Sequence, residues 1–198
     1  MILKDKETLS NFEEDLKKRV ELIDGVYYFY PGASFGHGMS MGSIYSIFKN
    51  YLKGKSCKVA PDGVNLFLDD ENTFRPDVMV ICNPNIIKSN GIHGTPDLIV
   101  EILSPSTAKN DRSKKKEIYE RFGVKEYWIV DIKNKSIEVY LLNQEGKFYL
   151  DEVYAIYQDF EKEDITEEEI YNKENVKVSL FEDLIVNLEE VFEDVIIG

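Results

Sequence analysis

The apolar pattern of this chain predicts an α/β fold, a mixed β-sheet with a helix on each face. Two runs, Pro76–Cys82 and Leu98–Leu103, are apolar on both alternating faces, as central strands covered from two sides must be. Before them, Met41, Ile44, Phe48, Tyr51 and Leu52 recur at helical spacing; after them, Ile118, Tyr119 and Phe122 do the same. From His37 onward the order is therefore helix, three strands, helix, strand.

Each element has its own signal. The opening predicts a short helix around Leu9–Leu16. A hairpin follows, Val20–Ile23 and Val26–Tyr30 joined at Asp24-Gly25, a pair that tolerates positive φ. Pro31–Gly36 is a loop, and the amphipathic helix after it stops at Gly54. Val64–Leu68 alternates imperfectly and is taken as the first of the three strands. Asn83–Thr95, rich in Asn, Gly and Ser, connects the second and third. A helix over Asp111–Phe122 ends at Gly123 and feeds the buried run Tyr127–Ile132. Ile137–Leu141 and Phe148–Tyr157 read as further strands, Asp159–Asn175 as an exposed acidic loop or short helix, and Leu188–Phe192 as a closing helix. No repeat or low-complexity linker divides the chain, so residues 1–198 are expected to form a single domain.

Composition narrows the function classes. No secretory signal opens the chain, and no apolar run approaches the roughly 20 residues of a membrane helix. A soluble, cytoplasmic protein without membrane partners is expected. Cys57 and Cys82 match no metal-ligand spacing, and each lies in or beside an apolar run. Buried free thiols are the expectation, compatible with a reducing compartment, although a disulfide stays possible. The net charge of −13 lies entirely in residues 145–198, with 17 acidic and 4 basic side chains; residues 1–144 hold 20 of each. Pro105–Lys125, with seven basic and three acidic residues, is the one basic patch, and a solvated helix face would look much the same.

Two carboxylates stand out by position. Asp77 opens the run after Pro76, and Glu101 interrupts Leu98–Leu103. A carboxylate inside such a run costs several kcal/mol unless its charge is compensated. A salt bridge or hydrogen bonds would serve; so would a hard divalent ion, which takes oxygen ligands from one or two carboxylates. A third residue favours the ion. At about 100° per residue, Lys115 falls on the face defined by Ile118, Tyr119 and Phe122, whereas Lys114 and Lys116 point elsewhere. Two carboxylates and an inward lysine match the apparatus of metal-assisted phosphodiester cleavage. A two-carboxylate glycosidase would leave Lys115 idle.

The stretches RPDVMVICNP and GTPDLIVEILSPSTAKNDRSKKKEIYERFGVKEYWIVD resemble the Uma-type restriction endonuclease family of the PD-(D/E)xK nuclease superfamily. ELIDGVYYFYPGAS, His37 at the first core helix, and VSLFEDLIVNLEEVF extend the likeness over nearly the whole chain. The resemblance implies a restriction endonuclease-like fold with an αβββαβ core, an N-terminal hairpin and a C-terminal extension. It implies a Mg²⁺- or Mn²⁺-dependent endonuclease acting on DNA, with Asp77 and Glu101 as metal ligands. Where the motif wants lysine two residues after Glu101, this chain has Leu103, and Lys115 is the matching family position. A degenerate nuclease fold that only binds remains the alternative reading. Ser104, Ser106 and Arg112 are candidate nucleic-acid contacts, though such a serine cluster also caps turns. Asp97 is expected to be structural, Trp128 core, and His37 a residue that could reach the site. A homodimer is expected because one such site cuts one strand of a duplex.

Overall fold

The computed structural model describes residues 19–196; the helix expected around Leu9–Leu16 lies outside them. Strands β1 (Arg19–Ile23) and β2 (Val26–Tyr30) form the expected hairpin. Its turn residues Asp24 and Gly25 both take positive φ, 46° and 74°. That combination is what a two-residue hairpin turn requires, and it explains the choice of Asp-Gly. Helix α1 (Phe35–Tyr51) starts at Ser34, whose hydroxyl accepts from the His37 N–H.

Two six-stranded sheets follow where the sequence suggested one. The remaining strands to the second helix are β3 (Lys58–Pro61), β4 (Leu66–Asp69), β5 (Asn72–Phe74), β6 (Val78–Ile81), β7 (Ile87–Lys88), β8 (Gly91–His93) and β9 (Leu98–Ile102). After the second helix come β10 (Glu126–Asp131), β11 (Ser136–Leu142) and β12 (Phe148–Ala155). The central sheet has the order β12-β11-β10-β9-β6-β3, with β9 and β10 parallel and the other pairs antiparallel. The second sheet has the order β2-β1-β5-β4-β8-β7. The segment Val64–Leu68 thus belongs to the second sheet, and the first strand of the αβββαβ core is β3. Asn83–Thr95, expected as a loop, also contributes two short strands to the second sheet.

The helix after β9 is one continuous rod with a wider turn inside it. Helix α2 (Ala108–Asn110) runs into a π-helical turn (Asp111–Lys115) and then α3 (Lys116–Phe122), which ends at Gly123 with φ 81°. Beyond β12 lie α4 (Glu167–Glu174), β13 (Asn175–Lys177), β14 (Ile185–Asn187) and α5 (Leu188–Phe192). Strands β13 and β14 pair with each other, and α5 packs against α1.

The strand period of two sorts the central sheet into two cores. Val78, Val80, Leu98, Val100, Ile102, Trp128 and Val130 pack with α1, α5 and the β13–β14 pair. Met79, Ile81, Ile99, Leu103, Tyr127 and Ile129 pack under the second sheet and α3. Trp128 is fully buried beside Phe48, a core residue as expected.

The cysteines correct the sequence reading. Cys57 and Cys82 form a disulfide, so neither is a free thiol. The register of β3 against β6 pairs Lys58 with Ile81, and one step outward it sets Cys57 opposite Cys82, with Cα atoms 4.0 Å apart. The free-thiol support for a reducing compartment falls with it. No helix among the described residues is long and apolar enough to cross a membrane.

Candidate active site

Alternation places Asp77 and Glu101 on the same face of the central sheet, the one under α3. Strands β6 and β9 are antiparallel with Val78 opposite Val100, so Asp77 and Glu101 follow as neighbours at the end of that register. Both are 1% exposed. From the helix, Lys115 reaches the same layer and is itself 1% exposed; Lys114 is exposed and bonds the Tyr28 hydroxyl. The π-turn ends at Lys115, so the spacing from Lys115 to Ile118, Tyr119 and Phe122 stays α-helical. That is why the helical wheel picks out the inward-facing lysine.

The two carboxylates have different surroundings. Asp77 Oδ1 is 2.9 Å from Arg19 Nη1 and 3.2 Å from His37 Nε2, and Oδ2 accepts from the Ile102 N–H at 2.7 Å. Burial alone would raise the Asp77 pKa. The His37 hydrogen bond, the Arg19 guanidinium and the Ile102 N–H outweigh it and bring the value to about 2. Glu101 Oε1 accepts from Tyr119 Oη at 2.8 Å and from Lys115 Nζ at 3.2 Å. Here burial wins, and with Asp111, Asp77 and Glu21 nearby it holds the Glu101 carboxyl well above the usual range despite Lys115.

Lys115 gathers three carboxylates at once: Glu21 Oε2 at 2.8 Å, Asp111 Oδ1 at 3.1 Å and Glu101 Oε1 at 3.2 Å. Burial would lower the pKa of its ammonium, but these three partners hold it well above its ordinary value. The Lys115 charge is permanent at any working pH. Ion-pair distance is not full satisfaction, however. Glu21 Oε2 and both oxygens of Asp111 have no hydrogen bond of good geometry from any described residue.

Sequence reasoning missed three members of this cluster: Arg19, Glu21 and Asp111. Two of them carried the signal that revealed Glu101. Glu21 alternates with Ile23 on the inward face of β1, and Asp111 precedes Lys115 by one helical turn on the inward face of the helix. Arg19 carried no such signal. The other candidates are placed differently. Ser104 Oγ lies 3.0 Å from the hydroxyls of Ser106 and Thr107 and accepts from the Thr107 N–H, the arrangement of a turn at a helix start. Arg112 donates twice to Glu138, at 2.7 and 3.3 Å. Asp97 accepts from the Cys82 N–H and pairs with Lys125, holding a strand end as expected. Leu103 is 9% exposed and belongs to the apolar core beside Glu101.

The residues present suit a divalent cation in charge and donor type. Four buried carboxylates, Glu21, Asp77, Glu101 and Asp111, face two permanent cations, Arg19 and Lys115. Fully ionised, they exceed those cations by two charges, an excess that a divalent ion would lessen. Among the described residues no three His, Cys, Asp or Glu side chains stand together as a complete ligand set. An ion here would keep several waters, as Mg²⁺ commonly does.

The comparisons agree with this architecture. A solved structure titled a "putative nuclease belonging to DUF820", from Anabaena variabilis, superposes with a TM-score of 0.68 at 18% identity, covering 93% of this chain and 97% of that one. That likeness shows the restriction endonuclease-like fold. An uncharacterized protein of Synechocystis sp. is 30% identical over 141 residues, 70% of this chain and 74% of the relative. The sequence model of the Uma2 family, described as "Putative restriction endonuclease", matches residues 7–171. The chain belongs to the Uma2 family.

Proposed function

We propose that this chain is a Mg²⁺- or Mn²⁺-dependent endonuclease that hydrolyses phosphodiester bonds in DNA at the Asp77–Glu101 cluster. The observation that carries this reading is the charge imbalance: four buried carboxylates against two permanent cations, on one face of a nuclease-family sheet. Asp77 and Glu101 would hold the ion. When bound, it supplies positive charge for the scissile phosphate and acidifies a water.

The chain's own groups do the rest. The Ile102 N–H and His37 fix the Asp77 carboxylate, and Tyr119 fixes that of Glu101. Lys115 replaces the lysine absent at Leu103, and its ammonium beside Glu101 orients the nucleophile or offsets charge developing on the phosphate. Ser104, Ser106 and Arg112 lie at the start of the same helix and would contact the DNA backbone, Arg112 by exchanging Glu138 for phosphate. Two copies would serve the two strands of a duplex. The exposed acidic segment of α4, with Glu167, Glu168 and Glu169, would face away from the substrate. One observation favours a second reading, a binding module without cleavage: the usual lysine position holds a core leucine.

Plasmid nicking decides between them. Supercoiled DNA incubated with the wild type should be cut in Mn²⁺ or Mg²⁺ and left intact in EDTA, and Asp77→Asn should cut at background rate. Cutting that persists in EDTA, or in Asp77→Asn, contradicts the proposal. Retention of DNA without cutting under any divalent ion supports the binding module.

A further inference from the structure

Arg19 begins β1 and turns its side chain into the cluster. Its Nη1 lies 2.9 Å from Asp77 Oδ1, while Nη2 lies 3.3 Å from Glu21 Oε1 and 3.8 Å from Glu101 Oε2. One guanidinium therefore spans the two carboxylates assigned above to the ion. Two cations cannot share that position: they repel at short range, and each oxygen turned to the guanidinium is withdrawn from an ion.

We propose that Arg19 is a place-holding cation, a positioning residue that keeps Asp77 and Glu101 paired until the divalent ion enters and expels it. This rests on the reading of Asp77 and Glu101 as the ion's ligands. The two cations of the cluster differ in how they are held. Lys115 is 1% exposed and bound by three buried carboxylates. Arg19 has 16% of its side chain exposed, and its buried Nε finds no partner among the described residues. It also has somewhere to go: Asp62, with 40% of its side chain exposed, lies 3.9 Å from Nη1. Arginine stays charged at any working pH, so the exchange answers to ion concentration and not to protonation. Lys115 stays in place through the exchange, so its ammonium remains when the Arg19 guanidinium leaves.

Calorimetric titration of Mn²⁺ into wild type, Arg19→Gln, Arg19→Lys and Glu101→Gln tests this without reference to cleavage. Arg19→Gln keeps much of the side chain's bulk but removes the competing charge, and it should bind Mn²⁺ tenfold or more tightly than wild type. Arg19→Lys keeps the charge but cannot span two carboxylates, and should fall between. Unchanged or weaker binding by Arg19→Gln, with Glu101→Gln still abolishing it, overturns the place-holder alone. Absence of Mn²⁺ binding in every variant overturns the metal site itself. Should Arg19→Gln fail to fold, phenylglyoxal modification of the wild type, mapped by mass spectrometry, gives the same answer. Arg19 should react faster in Mg²⁺ than in EDTA, and equal or slower reaction overturns the proposal.

Discussion

Two buried glutamates on neighbouring strands, Glu101 on β9 and Glu126 on β10, solve the same problem in opposite ways. Glu126 lies on the α1 face of the central sheet and is fully buried. Its carboxylate accepts from Trp128 Nε1 at 2.7 Å and from the backbone N–H and hydroxyl of Ser179, all neutral donors. Glu101, on the opposite face, has a tyrosine and a lysine for partners and three further carboxylates nearby. The first ties β10 to the loop after β13; the second belongs to a group with more carboxylates than cations. Burial of a carboxylate is thus a weak indicator of a site. Burial among other carboxylates with too few cations is a strong one.

The largest expected effect is at Lys115. Lys115→Ala leaves Glu21, Glu101 and Asp111 buried without their shared cation, and breaking such a pairing costs about 3–5 kcal/mol. Urea denaturation in EDTA should show that loss, and saturating Mn²⁺ should restore part of it by supplying positive charge. In Mn²⁺ the folded variant should cleave on the order of 10²–10³ more slowly than wild type. A loss below about 1 kcal/mol would mean that the three carboxylates are not held by Lys115.

Glu126→Ala sharpens the comparison from the other side. It strands the Trp128 and Ser179 donors and should cost about 1–3 kcal/mol, while the stabilisation given by Mn²⁺ stays as in wild type. A reduced Mn²⁺ effect would erase the distinction between the two glutamates.

A smaller effect concerns pH. Burial raises the Glu126 pKa from 4.5, against the hydrogen bonds from Ser179 and Trp128. A carboxyl raised in the folded state binds its proton more tightly there than in the unfolded chain. Its contribution therefore falls as pH rises from about 4.5 through the folded value. Over that window wild type should lose stability relative to Glu126→Gln, and a relative gain would reverse the sign of the shift.

Much of the fold was legible because its signals are local. The hairpin at Asp24-Gly25, helix α1, strands β6, β9 and β10 and the closing helix α5 all followed from period, turn residues and burial pattern. The errors have two causes. Strand β3 is four residues long and ends in Pro61, so it gave no strand pattern, and Val64–Leu68 took its place in the expected core. With β3 unseen, its register against β6 was unseen too, and nothing showed that Cys57 faces Cys82. The division into two sheets depends on pairings between distant segments, such as Leu22 with Thr73, which no local pattern encodes.

The cluster was half legible for a related reason. Asp77, Glu101 and Lys115 each break an otherwise apolar face, and a charge there needs an explanation. Glu21 breaks the inward face of β1 in the same way but lies in a short strand with a second charge two residues earlier. A solvated edge strand carries charges at the same spacing. Asp111 stands at a helix start, where an acidic residue is unremarkable. Arg19 became visible only when its guanidinium was found between Asp77 and Glu101.

The central claim is that Glu101 belongs to a divalent-ion site and Glu126 does not. Thermal unfolding of wild type, Glu101→Gln and Glu126→Gln across a Mn²⁺ titration tests it most directly, since an ion bound only by the folded state raises the melting temperature in a saturable way. Wild type and Glu126→Gln should show the same saturable rise, and Glu101→Gln should show none. A full rise in Glu101→Gln, or its loss in Glu126→Gln, would contradict the account.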